Sequence, residues 1–305
     1  RGVLNADDLD HSLRGLLAPD SFLGIGEAAT ILADALESDS SILIVGDFDA
    51  DGATSCTLMV TALRAMGARQ VNYLVPDRFK FGYGLTPEIV DVAVQFKPAV
   101  IVTVDNGIAS VEGVAHANTL GISVVVTDHH LPGHELPAAA AIVNPNQSGC
   151  EFPSKSLAGV GVAFYLLSVL RTELRSRDWF AHHPEINLAS FLDLVALGTV
   201  ADVVPMDQNN RRLVEEGIRR IRGGHCRPGL KAMLLAAGVN PQHLTTRDLA
   251  FSIAPRLNAA GRLQDMSIGI ECLLADEVRA VELAEHLDAL NNERKEIETD
   301  KIGRA

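Results

Sequence analysis

Short apolar runs alternate with longer amphipathic segments along the first half of the chain. Five runs rich in β-branched residues predict strands over 41–45, 71–75, 99–104, 122–127 and 140–144. Apolar residues at helical spacing predict helices over 53–67, 86–96 and 110–121, between the first four strands. Because these strands are apolar throughout rather than at alternate positions, the pattern predicts an α/β fold whose parallel sheet carries helices on both faces.

After Leu157 the pattern becomes mostly helical. Helices are predicted over 159–175, 186–202, 211–223, 230–238, 245–255 and, for about 28 residues, from Asp276 onward. The final third of the last helix is almost wholly charged, which is typical of a rod that bridges to another domain. The first 40 residues are also predicted to be helical, most clearly over 27–37.

We therefore expect an organisation in four parts. They are a helical lead-in (1–40), a sheet part that binds metal (41–150), a helical layer of the same domain (151–275) and the start of a long connecting helix (276–305). The chain starts at Arg1 and stops within a charged helical string, so we expect both ends to be cut from a longer protein.

Composition and charge limit the classes of function. A chain of 305 residues with 47% hydrophobic residues can bury a large core, and it contains neither an apolar run of membrane-spanning length nor a signal peptide. The net charge of −13 argues against a non-specific nucleic-acid coat but permits a local basic track. Four separated cysteines favour ordinary thiols in a reducing cytoplasm over a disulfide framework or a zinc knuckle.

Acidic and imidazole side chains follow several of the predicted elements. Parallel sheets place their sites at the carboxyl ends of strands, so these side chains are expected to converge. They are Asp47, Asp49 and Asp51 after the first strand, Asp105 after the third, Asp128, His129 and His130 after the fourth, and Asp202 at the end of a helix.

Crowded carboxylates repel one another unless a cation neutralises them. Carboxylates with imidazoles and no thiolate suit Mn²⁺ or Mg²⁺, with Co²⁺ or Zn²⁺ as open alternatives. More carboxylates than one ion needs indicates two ions about 3.5–4 Å apart, bridged by an aspartate.

Each of these sequence features, taken alone, also has a simpler explanation. A single aspartate after a strand is most often a turn former or a helix N-cap. The sequence DFDADG at 47–52 also matches the start of an EF-hand loop, but that loop needs a glutamate at its twelfth position, where this chain has Leu58. Agreement in chemistry among several element ends favours the metal site.

The motifs resemble a known superfamily. GDFDADGATS (46–55), TVDNG (103–107), TDHHLPG (127–133) and ALGTVADVVPM (196–206) resemble four motifs of the DHH phosphoesterases. Within that superfamily, PDRFKFGYGL (76–85), SKSLAGVGVAFYL (154–166) and APRLNAAGRL (254–263) resemble the RecJ family of single-strand-specific exonucleases. The resemblance runs over essentially the whole chain.

The resemblance implies a 5′→3′ exonuclease that hydrolyses single-stranded DNA to 5′ mononucleotides in recombination and repair. It implies two Mn²⁺ or Mg²⁺ ions, with single-strand-binding protein and a recombination helicase as partners. The implied catalytic metal ligands are Asp49, Asp51, Asp105, His129 and Asp202. Asp105 would be the bridge, and Asp47 a further ligand or an outer neighbour. His130 would face the scissile phosphate, and Asp128 is expected to orient an imidazole.

Four polar residues are expected to contact DNA: Arg78, Arg256, Asn258 and Arg262. The alternative for the arginines of the APRLNAAGRL segment is that they brace the helical layer. Arg78 lies in a loop with Phe79, Phe81 and Tyr83, whose rings could either stack on bases or pack within the loop.

The chain also departs from the family pattern. The family continues past the long helix into a second domain with a Gly-Gly-His motif and then an oligonucleotide-binding barrel. The Gly223-Gly224-His225 sequence here precedes that helix and predicts a helix-ending turn. We therefore expect this chain to fold and bind metal, but to bind DNA weakly and degrade it poorly.

Two rival functions stay open at this point. One is a superfamily enzyme acting on small phosphates, such as a pyrophosphatase, an oligoribonuclease or a cyclic-dinucleotide phosphodiesterase. The other is a replication scaffold with no catalysis. The long helix and the APRLNAAGRL segment favour a polymer substrate, and the complete set of acidic and imidazole positions argues against the scaffold.

Overall fold

A computed structural model describes residues 12–76 and 78–302 of the chain. Within these residues five strands form one parallel sheet of order β2-β1-β3-β4-β5. The strands are β1 Ile42–Gly46, β2 Val71–Leu74, β3 Val100–Val104, β4 Ser123–Thr127 and β5 Ala141–Val143. From β1 the chain first adds β2 on one side and then β3, β4 and β5 on the other side. The crevice between the carboxyl ends of β1 and β3 is therefore the topological switch point, where open α/β sheets bind ligands.

Both faces of the sheet are covered by helices, as the sequence predicts. Along β1, Ile42 and Ile44 belong to the large hydrophobic cluster on one face, whereas Leu43 and Val45 belong to a smaller cluster on the other face. This alternation follows from the two-residue period of a strand. Every residue of β1 and β3 is buried, which explains why these strands are apolar throughout.

Most of the helices follow the predicted segments with small shifts at their ends. The helices are α1 Ile25–Glu37, α2 Ala50–Ala65, α3 Arg78–Phe81, α4 Pro87–Ala93, α5 Val111–Thr119, α6 Gly159–Ser176, α7 Leu192–Ala201, α8 Gln208–Arg222, α9 Pro228–Ala236, α10 Thr246–Asp248, α11 Ala254–Leu263, α12 Ser267–Leu274 and α13 Glu277–Ile302. Of these, α3, α12 and most of α11 lie where no helix was predicted.

The helical layer shares its core with one face of the sheet. Helix α2 packs against α6 and α7, and α7 in turn packs against α8. One continuous cluster of buried apolar side chains extends from Phe22 to Leu290. Helix α7 is buried on all sides from Leu192 to Val200, so it is a central helix of the layer, and its carboxyl end projects towards the sheet edge.

The long helix α13 loses its apolar face along its length. Its buried apolar residues recur at helical spacing and then stop: Ala280, Leu283, Ala284, Leu287 and Leu290. From Asn292 to Asp300 its residues are mostly exposed. The predicted change from a packed helix to a polar rod is therefore confirmed in the described part of the chain.

Three segments differ from the sequence predictions or sharpen them. The helical lead-in is only partly regular, because short 3₁₀ turns at Leu13–Gly15 and Pro19–Ser21 precede α1, and residues 1–11 lie outside the described range. The loop predicted over 76–85 contains the one-turn helix α3. The helix predicted over 245–255 is split into α10, a π-helix at Leu249–Ile253 and the start of α11.

Two smaller predictions are confirmed. The Gly-Gly-His segment ends α8, with Gly223 as the C-cap and Gly224 in the left-handed region at φ 83°. The cysteines are free thiols, of which Cys56, Cys150 and Cys272 are buried and Cys226 is half-buried.

No single helix in the described ranges is both long and apolar enough to cross a membrane, although the bent pair Leu13–Ser21 and Ile25–Glu37 meets the length and composition test jointly.

Candidate metal centre

The acidic turn, residues 47–51, connects β1 to α2 and is shaped by its own aspartates. Asp49 is the N-cap of α2, and its Oδ1 accepts hydrogen bonds from the backbone N–H groups of Asp51 (2.9 Å) and Gly52 (3.0 Å). Asp51 is buried, and its carboxylate accepts from the first N–H groups of α6, those of Gly159 (2.6 Å) and Val160 (3.0 Å). A helix N-terminus favours a negative charge, so α6 offsets part of the cost of burying Asp51.

Asp105 follows β3 in an uncommon backbone conformation. Its φ of 62° lies in the left-handed region, which aspartate tolerates better than most residues do. Its N–H donates to the carbonyl of Thr127 at the end of β4. The side chain is 2% exposed and packs against Gly159, where a Cβ atom would lie 2.6 Å from the Asp105 carboxylate. The close approach of α6 to Asp105 thus requires glycine at position 159.

His129 brings β4 and α7 together at the centre of the site. Its Nε2 lies 3.1 Å from Asp105 Oδ1 and 3.5 Å from Asp202 Oδ2. The shorter of these contacts lies within ion-pair distance but does not have the geometry of a hydrogen bond. His129 Nε2 and Asp105 Oδ1 are both buried, and neither has a hydrogen-bond partner among the described residues. Burial, followed by the neighbouring His130, lowers the pKa of His129 to about 4, although the Asp128 and Asp49 carboxylates and a hydrogen bond to the Leu157 backbone oppose this. His129 is therefore neutral at pH 7.

The donor set fits a divalent cation. A neutral His129 directs its Nε2 lone pair at two carboxylate oxygens, and such an arrangement is repulsive unless a proton or a cation lies between them. Oxygen and imidazole donors without thiolate suit Mn²⁺ or Mg²⁺. Three groups have ligand atoms within 4.8 Å of one another: Asp47 with Asp49 and Asp105, Asp51 with His129 and Asp202, and Asp105 with His129 and His130. The six acidic and imidazole positions predicted to bind metal therefore converge.

The carboxylates of the site shift one another's pKa values. Burial, followed by Asp49, raises the pKa of Asp47 to about 7 and that of Asp202 to about 6. Burial and the neighbouring carboxylates also raise the pKa values of Asp51 and Asp105 well above the ordinary range. Shifts in this direction arise where burial and like charges outweigh the hydrogen bonds that favour the ionised carboxylates.

Asp128 orients His130 rather than His129. Its Oδ1 lies 2.7 Å from His130 Nδ1 and accepts from the N–H groups of His129 and His130, while its Oδ2 accepts from the Ile108 N–H. We expected Asp128 to orient an imidazole because metal-bound histidines usually have such a partner. The contact exists, but it is made to the histidine predicted to face the phosphate.

The Asp128–His130 pair has the charge distribution of an ion pair. Burial alone would raise the pKa of Asp128, but its hydrogen bonds with His130 and Ile108 lower it. The hydrogen bond to Asp128 in turn raises the pKa of His130, whose side chain is 44% exposed. The Tyr83 hydroxyl lies 3.3 and 3.4 Å from the two ring nitrogens of His130, and a cavity of about 670 Å³ opens beside both side chains.

Two of the residues expected to contact DNA have protein partners. Arg256 forms an ion pair with Asp288 of α13 (2.6 Å) and donates to the carbonyl of Ser252. Asn258 Oδ1 accepts from the Ala50 N–H (2.8 Å). For Arg256, this placement corresponds to the bracing alternative. The phosphate roles of both residues stay predictions.

The other expected DNA contacts are placed less specifically. Arg262 is exposed at the end of α11. The side chains of Arg78 and Phe79 lie outside the described part of the chain. Phe81 packs against the smaller hydrophobic cluster, as in the loop-packing alternative, whereas Tyr83 is 48% exposed and contacts Phe48 and His130 edge-on.

Three asparagines that were not predicted from the sequence also support the site. Asn106 donates to the carbonyls of Val45 and Val104, and so it ties together the ends of β1 and β3. Asn146 donates to the His129 carbonyl (2.6 Å) and Asn144 to the His130 carbonyl (2.9 Å). The last two follow β5, so inspection of that strand's exit, as for the other strands, would have found them.

Comparisons with known proteins agree with this geometry. The model for the DHH family, N-terminal domain, matches residues 41–199. A single-stranded-DNA-specific exonuclease RecJ from Salmonella typhimurium is 58% identical over 98% of this chain, and one from Escherichia coli is 57% identical over the same share. Each alignment covers 52% of the relative, so the chain spans about half the length of these curated relatives.

Two solved structures have the same architecture. A crystal structure of exonuclease RecJ bound to manganese superposes with a TM-score of 0.83 at 35% identity, covering 94% of this chain and 70% of that one. The structure of RecJ in complex with Mn²⁺ from Thermus thermophilus superposes with a TM-score of 0.81 at 33% identity, covering 96% of this chain and 41% of that one. Together with the matched motifs, these likenesses show that the chain belongs to the DHH family, within its RecJ group.

Proposed function

We propose that the chain forms the metal-binding catalytic part of a single-strand-specific 5′→3′ exonuclease that hydrolyses DNA to 5′ mononucleotides. The observation that carries the proposal is the convergence of His129 Nε2 on Asp105 Oδ1 and Asp202 Oδ2, at 3.1 and 3.5 Å. His129 Nε2 and Asp105 Oδ1 are buried there without a hydrogen-bond partner among the described residues. The two RecJ relatives are named single-stranded-DNA-specific exonucleases. An exonuclease hydrolyses phosphodiester bonds, which is a reaction that a centre of divalent cations can catalyse.

The residues that would hold the ions are those with converging donors: Asp47, Asp49, Asp51, Asp105, His129 and Asp202. When bound, Mn²⁺ or Mg²⁺ supplies Lewis acidity to the phosphate and lowers the pKa of an attacking water. Asp105 and His129 each belong to two of the three donor groups, and Asp105 is the one carboxylate among the described residues that does, which supports a place for it between the ions.

His130 is the candidate phosphate contact among the chain's own groups. Asp128 raises its pKa, so the ring keeps its proton to higher pH than a free histidine does. An imidazolium at the exposed edge of the centre can donate a hydrogen bond to a non-bridging phosphate oxygen and stabilise the charge that develops there. Tyr83, in contact with the ring, holds it in place.

We also propose the domain organisation expected from the sequence. In it, residues 41–150 and 151–275 form two parts of one DHH domain, preceded by a lead-in and followed by a connecting helix. The continuous hydrophobic cluster between the sheet and the helical layer supports the single domain. A cytoplasmic location is proposed from the free cysteines. Single-strand-binding protein and a recombination helicase remain proposed partners on family resemblance alone.

The test is a digestion of one oligonucleotide, labelled at either its 5′ or its 3′ end, by the chain in Mn²⁺. We expect slow digestion in which the 5′ label leaves as a mononucleotide at the first cleavage and the 3′-labelled strand shortens gradually, with duplex DNA resistant. The Asp105→Ala variant serves as the inactive control. The full-length Salmonella typhimurium relative, run in parallel, measures how slow this chain is on its own.

Two outcomes would contradict the proposal. One is release of the 3′ label before the 5′ label, which would reverse the polarity. The other is digestion that continues at the same rate in EDTA or in the Asp105→Ala variant, which would remove the metal centre from the reaction.

A further inference from the structure

We propose that Asn258 is a positioning residue: helix α11 uses it to hold the acidic turn, residues 47–51, in the shape that binds metal. Helix α11 is itself fastened to the long helix α13. The inference rests on the proposed metal centre and assigns Asn258 a role different from contact with DNA phosphate.

The first observation is a hydrogen bond between regions distant in sequence. Asn258 Oδ1 accepts from the N–H of Ala50 at 2.8 Å, and Ala50 lies between Asp49 and Asp51. The first N–H groups of a helix have no partners within the helix. Asp49 satisfies the N–H groups of Asp51 and Gly52, so Asn258 supplies the acceptor for the one at Ala50. The start of α2 is therefore fixed partly from within the turn and partly from α11.

The second observation is the close packing of α11 against the same turn. A Cβ atom at Gly261 would lie 1.9 Å from the carbonyl oxygen of Phe48, so only glycine fits there. Positions 258 and 261 are three apart and share a face of α11. They contact Ala50 and Phe48, the two residues on either side of Asp49. Helix α11 thus holds the backbone on both sides of a predicted metal ligand.

The third observation links α11 to α13. The Arg256 guanidinium pairs with the Asp288 carboxylate at 2.6 Å, and their side chains are 11% and 31% exposed. The π-helix Leu249–Ile253 directly precedes α11, and such wide turns recur at functional sites. Because Arg256 and Asn258 lie on one short helix, a shift of α13 would move the group that holds the acidic turn.

Two substitutions separate positioning from phosphate contact. Asn258→Leu removes the acceptor at similar volume, whereas Asn258→Asp keeps an oxygen that can accept from Ala50. The measurements are the affinity for Mn²⁺ alone by calorimetry, without DNA, and the rate of amide hydrogen exchange over 46–53 in metal-free protein.

We expect Asn258→Leu to weaken Mn²⁺ binding by about 10-fold or more, as loss of residues that support metal ligands does. The same variant should exchange faster over 46–53, and Asn258→Asp should stay within about threefold of the unsubstituted chain in both measurements. A phosphate contact predicts the opposite: Mn²⁺ affinity unchanged in both variants, and a higher KM for DNA in Asn258→Asp, because its charge repels phosphate.

Leu257→Ala is the matched control, because Leu257 is fully buried on the same helix and does not form the hydrogen bond. Leu257→Ala should lower the melting temperature and leave the affinity for Mn²⁺ unchanged. If Asn258 contributed only to the stability of the fold, Asn258→Leu would show this same result. Asn258→Ala replaces Asn258→Leu if the latter does not fold. Normal Mn²⁺ affinity in the folded acceptor-free variant overturns the inference, whereas absence of Mn²⁺ binding by the unsubstituted chain overturns the metal centre itself.

Discussion

Two regions of this molecule bury aspartates, and they do so in opposite ways. Between α7 and α9, Asp193 is 1% exposed and every direction around its carboxylate is used. Its Oδ1 accepts from the Leu194 N–H and from Arg227 Nη2, and its Oδ2 accepts from the Arg227 N–H and Nε, at 2.9–3.1 Å. The negative charge has its own guanidinium, so this region needs no added ion.

At the carboxyl edge of the sheet the situation is reversed. Asp105 is as deeply buried as Asp193, yet the charged groups that shift its pKa include Asp47, Asp49 and Asp51, all of which raise it. Its Oδ1 has no hydrogen-bond partner among the described residues. Burial alone therefore does not distinguish the two aspartates. The difference is that Asp193 is paired with the Arg227 guanidinium, whereas no positively charged side chain is paired with Asp105 among the described residues. The sheet edge around Asp105 is therefore the region suited to binding a cation.

The largest expected effect comes from the unbalanced region. Asp105→Ala should reduce Mn²⁺-dependent hydrolysis of single-stranded DNA by about 10³-fold or more, because several kcal/mol of charge stabilisation depend on the metal. The metal-free variant should melt no lower than the unsubstituted chain, since a repulsive charge has been removed. Initial rates and melting curves in EDTA check both. Near-normal hydrolysis would refute the assignment of Asp105 as a ligand.

The balanced region should respond in stability instead. Asp193→Ala leaves the Arg227 guanidinium buried without its partner, which should lower the free energy of unfolding by about 3–5 kcal/mol. The folded fraction should bind Mn²⁺ with unchanged affinity, because Asp193 lies at the end of α7 remote from Asp202. Urea denaturation and calorimetry make the comparison. Normal stability with weakened Mn²⁺ binding in Asp193→Ala would show that Asp193 serves the metal centre, and it would contradict the contrast between the two regions.

Asp128 is intermediate between these cases, since it is buried and balanced by His130. Asp128→Asn keeps the shape but removes the charge, so kcat should fall by about 10- to 100-fold, as expected for loss of a carboxylate that orients a functional histidine. The pH at which activity is lost on the alkaline side should move down, because His130 loses the partner that raises its pKa. Mn²⁺ affinity should change by less than about threefold, since the imidazole that Asp128 contacts is that of His130 and the asparagine oxygen can still accept from the His129 N–H. A large loss of Mn²⁺ affinity would place Asp128 in the metal centre instead.

The smallest effect is on pH dependence in the absence of DNA. Asp47 and Asp202 have folded-state pKa values of about 7 and about 6, above the unfolded value of 3.8. Between pH values of about 4 and about 7 the native state therefore binds more protons than the unfolded state does. The free energy of unfolding of the metal-free chain should consequently fall as the pH rises through this range. Mn²⁺ competes with those protons, so its affinity should rise severalfold across the same window. Melting in EDTA and calorimetry at several pH values measure both, and flat profiles would argue against shared repulsion.

The sheet and its exits were predictable because their signals are local. The β-branched runs predicted the strands, and the residues directly after them predicted the metal donors, since parallel strands end at one edge. The long helix was equally visible from its fading apolar face. These features depend on residues that are neighbours in sequence or share one simple period.

The rest could not be predicted because it depends on contacts between distant residues. The partner of Asp193 lies 34 residues further along the chain, and Asn258 meets Ala50 across 208 residues. The ion pair of Arg256 with Asp288 of α13 also joins distant residues, so the sequence alone leaves phosphate contact and bracing open for this arginine. The π-helix before α11 has no signature in the apolar pattern, which predicts one continuous helix over 245–255.

Counting Mn²⁺ ions bound by the metal-free chain at about pH 7.5, by calorimetry with electron paramagnetic resonance as a second readout, tests the contrast most directly. The unsubstituted chain and the folded fraction of Asp193→Ala should both bind about two ions, whereas Asp105→Ala should lose binding by more than about 100-fold. Absence of Mn²⁺ binding by the unsubstituted chain, or equal binding by Asp105→Ala, would contradict the view that the sheet edge buries its charges for a cation.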